Sequence, residues 1–168
     1  EDVIIKIQRP HIEKTIKLDI KLMRWMVNRF TKEYPQYSYI DLDGFVDEFS
    51  KQMANELDYF NEADNMLRFS AMFESNPQVY IPKVYGEYTT KRLLVMEKIK
   101  GVPPDRIQEL KEAGYDLHGI AVTGANALLK MILEEGFFHA DPHPGNIFIM
   151  PGNVVCFIDF GMVGTLRP

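Results

Sequence analysis

The segment from His139 to Gly161 constrains the fold of this chain more than any other stretch. It opens with HADPHPGN, continues as the apolar run IFIM, turns at PGN, continues as VVCFI and ends in DFG. Two short apolar runs on either side of a Pro-Gly-Asn turn predict a β-hairpin. The pattern therefore predicts a polar loop, then a hairpin, then an Asp-Phe-Gly tripeptide.

Two chemistries are open to the polar loop. His139, Asp141 and His143 alternate, so on an extended segment their side chains would project to one side, as in a transition-metal site. Alternatively, the loop presents the Asp141 carboxylate and the Asn146 amide to a phosphate. A zinc hydrolase needs three or more converging ligands and an open position. The other two of the four histidines fall in unrelated helical contexts, so zinc hydrolysis is the weakest interpretation.

The spacing of Asp141, Asn146 and Asp159 fits phosphoryl transfer. That reaction uses one carboxylate to orient the acceptor, and an amide with a second carboxylate to hold Mg²⁺. Protein kinases supply these groups from H-R-D-x-x-x-x-N and D-F-G. Here the first motif is H-A-D-P-H-P-G-N, with Ala140 in place of the arginine. DFG alone recurs by chance, but HxDxxxxN followed by a hairpin and DFG is specific.

A lysine and an acidic helix segment lie upstream. Lys6 falls in the strand-like run VIIKI and fits the lysine that contacts the α/β-phosphates and pairs with a helix glutamate. The segment ELDYFNEADN offers that glutamate. On an ideal helix Asp58 and Glu62 share a face, whereas Glu56 points elsewhere. Taken alone, these are a surface lysine and a solvated helix face, and only the downstream motifs favour a functional interpretation.

The run LLVMEKIKG predicts a strand that ends one lobe. Adenine is commonly held by backbone groups at such a junction, which nominates the main chain of Glu97 and Ile99, with Met96 behind the base. An edge strand that runs into a loop is the alternative. The following GVPPD contains a glycine and two prolines, so residues 100–105 are predicted to be a linker.

The spacing of apolar residues predicts the remaining elements. Helices are expected over residues 11–33, 42–73, 105–113 and 117–135, and strands over 85–88 and 93–99. A continuous helix over 42–73 would be about 48 Å long, which is long for a domain of this size.

This order of elements predicts a two-lobed α+β protein with a cleft at the linker. Residues 1–99 are expected to form an N-lobe-like part with the lysine strand, an inserted helix, a long C-helix and two strands. Residues 100–168 are expected to form the hinge and a C-lobe-like part with the catalytic loop and DFG.

Four motifs together resemble a known family. VIIKIQRP, ELDYFNEADN, HADPHPGN and IDFGMVG occur in the order typical of the UbiB-type atypical kinases, which are linked to ubiquinone biosynthesis. The resemblance spans essentially the whole chain and implies an aminoglycoside-kinase-like variant of the protein-kinase fold that binds ATP with Mg²⁺. It also implies a regulated ATPase or small-molecule kinase, in the setting of ubiquinone or other prenyl-quinone biosynthesis, more than a protein kinase.

The resemblance assigns roles by position. The implied catalytic residues are Asp141, Lys6 as the phosphate lysine, and Glu62 as its ion-pair partner. The implied Mg²⁺ ligands are Asn146 and Asp159. The implied nucleotide contacts are these two together with Lys6, Glu97 and Ile99, and the family's distinctive acidic pair corresponds to Glu56 and Asp58.

The chain also departs from the family pattern. A lysine-glycine-glutamine segment and an alanine-rich nucleotide loop would lie before Glu1, and a C-terminal part with any membrane helices would lie after Pro168. We therefore expect a kinase-like domain truncated at both ends, with weak ATP binding and an exposed edge on the Lys6 strand. The full-length protein is expected to be cytoplasmic and membrane-associated, with lipid or prenyl-quinone precursors and a membrane surface as partners beside ATP.

Two other interpretations stay open. Small-molecule phosphotransferases of the aminoglycoside or choline kinase type also contain HxDxHPxN, but the acids in ELDYFNEA and the QRP after Lys6 favour the UbiB type. A pseudo-kinase scaffold would bind nucleotide without useful chemistry, and the intact catalytic positions argue against it. His143 either steadies the loop or contacts substrate.

Composition narrows the partners. The net charge of −5 disfavours nucleic-acid binding. Residues 1–33 are locally basic, for which a solvated helix face is expected before an anionic membrane surface. The single cysteine, Cys156, excludes an intrachain disulfide and is predicted to pack in the core. No run reaches the roughly 18 apolar residues of a membrane span.

Overall fold

A computed structural model describes residues 2–166. The strands of this range are β1 Val3–Ile7, β2 Val79–Tyr80, β3 Leu93–Glu97, β4 Phe137–His139, β5 Ile147–Met150, β6 Val154–Phe157 and β7 Val163–Thr165. The α-helices are α1 Ile12–Glu33, α2 Leu42–Glu56, α3 Tyr59–Met72, α4 Ile107–Glu112 and α5 Leu117–Leu129. A π-helical turn over Lys130–Glu134 continues α5. No helix of this range is both long enough and apolar enough to cross a membrane.

One antiparallel sheet is organised around β3. β1 pairs with it antiparallel and places Lys6 opposite Leu94. On the other side of β3, residues 83–85 add backbone hydrogen bonds, in which Tyr85 N donates to Val95 O at 2.9 Å. Leu94 and Met96 of β3 are buried, and α3 packs against this strand. The lysine strand is therefore fixed to the same scaffold as α3.

A three-stranded sheet of β2, β6 and β5 carries the predicted hairpin. β5 pairs antiparallel with β6, which confirms the hairpin interpretation of IFIM-PGN-VVCFI. β2 pairs in parallel with β6, and β4 pairs antiparallel with β7. The chain thus runs from β4 through HADPHPGN into the hairpin, and from the hairpin through DFG into β7. The HADPHPGN loop and the DFG segment are each connected at both ends to a paired strand. These strands hold the backbone of each segment in place.

The continuous helix predicted over residues 42–73 is wrong. α2 ends at Glu56, and α3 begins only at Tyr59. Asp58 between them is extended, at φ −124° and ψ 99°, and its carboxylate accepts a hydrogen bond from Phe60 N at 3.1 Å. Aspartate is a favoured N-cap because its side chain satisfies an N–H that has no partner within the helix. The local capping preference of Asp58 therefore overrides an apolar periodicity that runs through the junction.

Other short elements also differ from expectation. The strand predicted over residues 85–88 is wrong, because Gly86–Tyr88 forms a 3₁₀ turn. β2, β4 and β7 have two or three residues each, too few for an alternation pattern to predict.

An aromatic cluster joins α3 to the DFG segment. The Phe69 ring lies 4.8 Å from the Phe160 ring and 4.8 Å from the Phe137 ring, measured between centroids. All three side chains are buried. Cys156 is buried as predicted, and burial raises the pKa of its thiol to about 12, so the thiol is protonated at neutral pH. The core thus lies directly behind the polar segments.

The capping role of Asp58 is testable by substitution. Asp58→Ala should lower the free energy of unfolding by about 1 kcal/mol, whereas Asp58→Asn should retain the cap. Asp64→Ala, at an exposed position inside α3, is the matched control and should leave stability nearly unchanged. Urea unfolding followed by circular dichroism measures all three, and equal losses for Asp58→Ala and Asp64→Ala would contradict the assignment.

Candidate active site

Six predicted site residues line one cavity of about 360 Å³: Glu56 of α2 and five others. β1 contributes Lys6, α3 contributes Glu62, the HADPHPGN loop contributes Asp141 and Asn146, and the DFG segment contributes Asp159. These positions are far apart in sequence. They meet because the lysine strand is fixed to the scaffold of α3, and α3 packs through Phe69 against the DFG segment.

Lys6 bridges two carboxylates. Its Nζ lies 2.7 Å from Glu62 Oε1 and 3.3 Å from Asp159 Oδ2. Burial lowers the pKa of Lys6, but the carboxylates of Glu62 and Asp159 outweigh it and the net pKa is raised. Glu62 is only 4% exposed, and its burial raises the pKa of the carboxyl against the opposing effect of Lys6. Lys6 is therefore charged at neutral pH. Its ammonium group is held in position by the Glu62 carboxylate, which has almost no contact with water.

A hydrogen-bond network fixes the HADPHPGN loop. Asn146 Nδ2 donates to Asp141 O at 3.1 Å and contacts Asp141 Oδ2 at 3.4 Å. His143 Nδ1 accepts from Gly145 N at 2.9 Å, and His143 Nε2 lies 3.5 Å from Asp141 Oδ2. The predicted pair Asp141 and Asn146 is thus in direct contact, and His143 adjoins the Asp141 carboxylate.

His139 supports the loop from the core. Its Nδ1 accepts a hydrogen bond from Asp141 N at 3.1 Å, so its Nε2, 3.1 Å from Ile158 O, carries the proton that it donates to that carbonyl. Burial lowers the pKa of His139, which favours this neutral tautomer. Both ring nitrogens are therefore used within the protein, so His139 is not placed to bind zinc. Within residues 2–166, no three His, Cys, Asp or Glu side chains cluster as a metal site.

Two features define the conformation of the DFG segment: a left-handed backbone at Asp159 and a hydrogen bond from α3. Asp159 has φ +60°, in the left-handed region. Asn65 Nδ2 of α3 donates to Phe160 O at 2.9 Å. Sequence reasoning did not single out Asn65, although it is the last residue of the segment ELDYFNEADN. A helical asparagine can bond a carbonyl 95 positions away or face solvent. The sequence around it is the same in both cases.

The acidic pair divides between two environments. Glu56 lines the cavity, and its carboxyl pKa is raised by burial and by the neighbouring Asp159 and Glu62 carboxylates. Asp58 caps α3 and lies 3.8 Å from Lys91. The expectation that Asp58 shares the face of Glu62 while Glu56 points away is therefore wrong. Because the helix breaks at residues 57–58, Glu56 lines the cavity and Asp58 does not.

Tyr59 is a further cavity residue that the sequence did not indicate. Its ring lies 5.9 Å from Lys6 Nζ, measured to the centroid, in the arrangement of a cation–π contact. Burial raises the pKa of its hydroxyl. Since Tyr59 is the first residue of α3, the helix start that Asp58 sets also sets this contact.

The proposed adenine contacts lie at the end of β3. Glu97 N donates to Lys83 O at 2.8 Å, and Glu97 Oε2 accepts from Tyr80 Oη at 2.6 Å. This bond raises the pKa of Tyr80 to about 12. Ile99 follows the strand and is half-buried. Neither Glu97 nor Ile99 lines the cavity of Lys6 and Asp141. The Tyr80 bond connects β3 to the sheet of β2, β5 and β6.

The donor set of the cavity fits a magnesium ion. Because Asn146 uses Nδ2 within the loop, its Oδ1 is the atom left for a cation. Asp159, which lines the cavity, supplies a carboxylate whose side chain is 47% exposed. Oxygen donors of this kind are those that Mg²⁺ prefers, with water or substrate phosphate completing its shell.

Comparison with known proteins places this geometry in a family. The model of the ABC1 atypical kinase-like domain matches residues 1–168. The chain is 42% identical over 166 residues to the chloroplastic protein ACTIVITY OF BC1 COMPLEX KINASE 1 of Arabidopsis thaliana, a match that covers 99% of this chain and 24% of that protein. It is 36% identical over 172 residues to a protein of Marinobacter nauticus named "Probable protein kinase UbiB", with coverage of 100% and 31%.

A solved structure agrees with these matches. Rv3197 of Mycobacterium tuberculosis, determined in complex with erythromycin, has a TM-score of 0.78 to this chain at 29% identity, over 97% of this chain and 40% of that one. The chain thus spans less than a third of the curated relatives named here. The predicted α+β kinase-like fold and the resemblance carried by the four motifs are both confirmed: this chain belongs to the ABC1 atypical kinase-like family, which includes proteins named UbiB.

Proposed function

We propose that this chain is the nucleotide-binding and catalytic part of a Mg²⁺- and ATP-dependent atypical kinase or ATPase of the UbiB type. The observation that carries the proposal is the position of Lys6 Nζ, 2.7 Å from Glu62 and 3.3 Å from Asp159, in the same cavity as Asp141 and Asn146. A charged lysine held by a helix glutamate is the arrangement that protein kinases use on the α/β-phosphates.

Each side chain has a distinct role in the proposal. Lys6 binds phosphate oxygens, and Glu62 holds the lysine in position. Asn146 and Asp159 hold Mg²⁺, which when bound supplies charge neutralisation on the phosphates. The Asp141 carboxylate orients the attacking hydroxyl or water and accepts its proton. His143, 3.5 Å from that carboxylate, steadies its orientation.

A second opening adjoins the cavity, and we propose that the acceptor enters there. A cleft of about 770 Å³ shares Gly161 and Met162 with the cavity and is lined by polar side chains of α2 and α3. Its walls admit either a bound alcohol or water, so the geometry is compatible with a small-molecule kinase and with an ATPase. The UbiB names among the relatives support a setting in ubiquinone or other prenyl-quinone biosynthesis. We propose lipid precursors and a membrane surface as partners on the resemblance to the family alone.

The proposal predicts Mg²⁺-dependent nucleotide turnover. The purified chain should release phosphate from ATP when Mg²⁺ is present, and EDTA should reduce the rate at least about a hundredfold, because charge neutralisation on the phosphates is then lost. Restoring Mg²⁺ in excess of EDTA should restore the rate. Calorimetry under the same conditions measures nucleotide binding, which distinguishes an active kinase or ATPase from a pseudo-kinase scaffold.

Three outcomes distinguish the candidates. ATP binding without turnover in either condition would favour a pseudo-kinase scaffold. Turnover that requires a small alcohol would favour a phosphotransferase of the aminoglycoside or choline kinase type. Absence of both binding and turnover would contradict the proposal.

A further inference from the structure

The side chain of Glu97 lies on the face of its sheet that does not carry Lys6. In an antiparallel sheet, paired residues point to the same face and consecutive residues point to opposite faces. Lys6 is paired with Leu94, so both side chains lie on one face of the sheet. Glu97 is three positions after Leu94 in β3 and therefore lies on the other face. The Glu97 carboxylate thus has surroundings of its own, apart from the cavity of Lys6.

One oxygen of the Glu97 carboxylate accepts two hydrogen bonds. Tyr80 Oη donates to Glu97 Oε2 at 2.6 Å, and Lys83 N donates to the same oxygen at 3.2 Å. A hydroxyl bound to a charged carboxylate forms a short bond that is about twice as strong as one between neutral groups. Tyr80 and Glu97 are both half-buried, so water competes only partly for their bond. The pair is therefore a fixed contact between two elements.

The bond between Tyr80 and Glu97 joins two different sheets. Glu97 ends β3, in the sheet of β1 and β3, and Tyr80 ends β2, in the sheet of β2, β5 and β6. Along the chain, the short segments 81–82 and 98–101 join the same two sheets, and both are irregular. The Tyr80 bond thus adds a direct connection between two sheets that irregular backbone alone would otherwise join at this point.

The sheet that carries Tyr80 leads to the proposed Mg²⁺ ligands. β2 pairs in parallel with β6, which ends two residues before Asp159. Ile158 N, which lies between them, donates to Asn146 O at 2.9 Å. Both proposed ligands are therefore attached to the sheet of Tyr80, whereas the main chain proposed to contact adenine belongs to the end of β3 at Glu97.

We propose that Tyr80 and Glu97 are positioning residues for the nucleotide. Their hydrogen bond fixes the end of β3 relative to Asp159, so that the adenine contacts and the Mg²⁺ ligands are the right distance apart for one ATP molecule. This inference rests on the proposed function, because it takes the main chain of Glu97 and Ile99 as the adenine contact. Neither the Tyr80 nor the Glu97 side chain needs to contact ATP.

Loss of the bond should weaken ATP binding more than it slows the chemistry. Without the bond, the end of β3 occupies several positions, and the apparent affinity falls by the fraction of them that suits ATP. Saturating ATP selects the competent position, so turnover at saturation is preserved. Tyr80→Phe removes only the hydroxyl and should raise the KM for ATP at least about fivefold. Its kcat should stay within about twofold of the wild-type value.

Variants of Glu97 test the other partner of the bond. Glu97→Ala should raise the KM as Tyr80→Phe does. Glu97→Gln should raise it less, because its amide oxygen can accept the same two hydrogen bonds. The double variant Tyr80→Phe/Glu97→Ala should bind ATP about as weakly as either single variant, since each change removes the same contact. Fully additive losses would show that the two residues act separately and would overturn the proposal.

Tyr88→Phe and Glu87→Ala are matched controls. Both residues are exposed and lie in the 3₁₀ turn Gly86–Tyr88, which adjoins β3. Both variants should have the KM of the wild type, and a rise equal to that of Tyr80→Phe would contradict the proposal. Circular dichroism verifies that each variant is folded. If Tyr80→Phe does not fold, the comparison of Glu97→Ala with Glu97→Gln still tests the bond.

Amide hydrogen exchange without nucleotide provides a readout that does not depend on ATP binding. Glu97 N donates to Lys83 O at 2.8 Å. Its exchange should be at least about threefold faster in Tyr80→Phe, because the end of β3 opens more often when the bond to Tyr80 is lost. The amides of α5 should exchange as they do in the wild type.

The two measurements separate failure of this inference from failure of the proposed function. Unchanged exchange of the Glu97 amide in Tyr80→Phe would show that the bond does not fix the end of β3. Faster exchange with an unchanged KM would show that this strand end does not contact the nucleotide. In both cases ATP turnover by the wild type would leave the proposed function intact. If the wild type binds no ATP, the proposed function and the positioning role are both wrong.

Discussion

Asp141→Asn should reduce ATP turnover by at least about a hundredfold, because the proton acceptor for the attacking hydroxyl or water is lost. The side chain is 46% exposed, so the isosteric change should leave the free energy of unfolding within about 0.5 kcal/mol of the wild type. Steady-state phosphate release and thermal unfolding measure the two quantities. Nucleotide affinity should change much less than turnover, since Asp141 acts on the attacking group.

Asp105→Asn is the matched control for this experiment. Asp105 is an exposed aspartate of the linker, and its replacement removes one charge without touching the cavity. Its turnover should equal that of the wild type. Undiminished turnover in Asp141→Asn would remove the catalytic assignment of that residue, whereas equal losses in both variants would point to an effect of charge alone.

Lys6→Met should have the largest effect on stability as well as abolishing turnover. It leaves the Glu62 carboxylate buried without a cation, and breaking one partner of a buried ion pair costs about 3 kcal/mol or more. Lys91→Met is the control, because Lys91 is exposed and 3.8 Å from Asp58. Pairs of that kind contribute about 1 kcal/mol or less. Urea unfolding measures both, and equal losses would contradict the buried-pair interpretation.

A double variant separates stability from chemistry. Lys6→Met/Glu62→Leu replaces both members of the pair with apolar side chains and should recover much of the stability lost in Lys6→Met. Turnover should stay absent, since the phosphate lysine is still missing. If stability is not recovered, the loss comes from packing of the lysine stem and not from the unpaired Glu62 charge.

The free energy of unfolding should change with pH as Lys6 loses its proton. Its pKa is raised in the folded state, so its contribution is present below the ordinary value of 10.5 and is lost as the pH rises above that value. Lys6→Met should lack this alkaline loss, so the difference between the two unfolding curves should shrink above that pH. A difference that stays constant to higher pH would contradict the direction of the shift.

The sequence predicted the parts of the site that depend on local spacing. Asp141 and Asn146 are five residues apart in one loop, and Asp159 follows a hairpin whose turn is visible as PGN. The order of apolar runs and motifs was sufficient to place Lys6 and Glu62 on a strand and a helix. Such features depend on short-range patterns, which an amino-acid sequence displays directly.

The parts that were missed depend on tertiary contacts or on competition between weak signals. Apolar residues continue at helical spacing through Met53, Leu57 and Phe60, so periodicity alone extends α2 into α3. The capping preference of Asp58 instead separates α2 from α3. Only because of this break does the Glu56 side chain line the cavity. The bond from Asn65 to Phe160 O spans two distant segments, and no local pattern predicts it.

The left-handed backbone of Asp159 limits which residues this position can accommodate. Among residues with a side chain, asparagine and aspartate enter the left-handed region most readily, whereas a β-branched residue at φ +60° is strongly disfavoured. A random substitution at residue 159 would therefore change the local fold and the chemistry together. Substitution tolerance at this position should follow backbone conformation first, with glycine and asparagine leaving the fold intact and valine or isoleucine disturbing it.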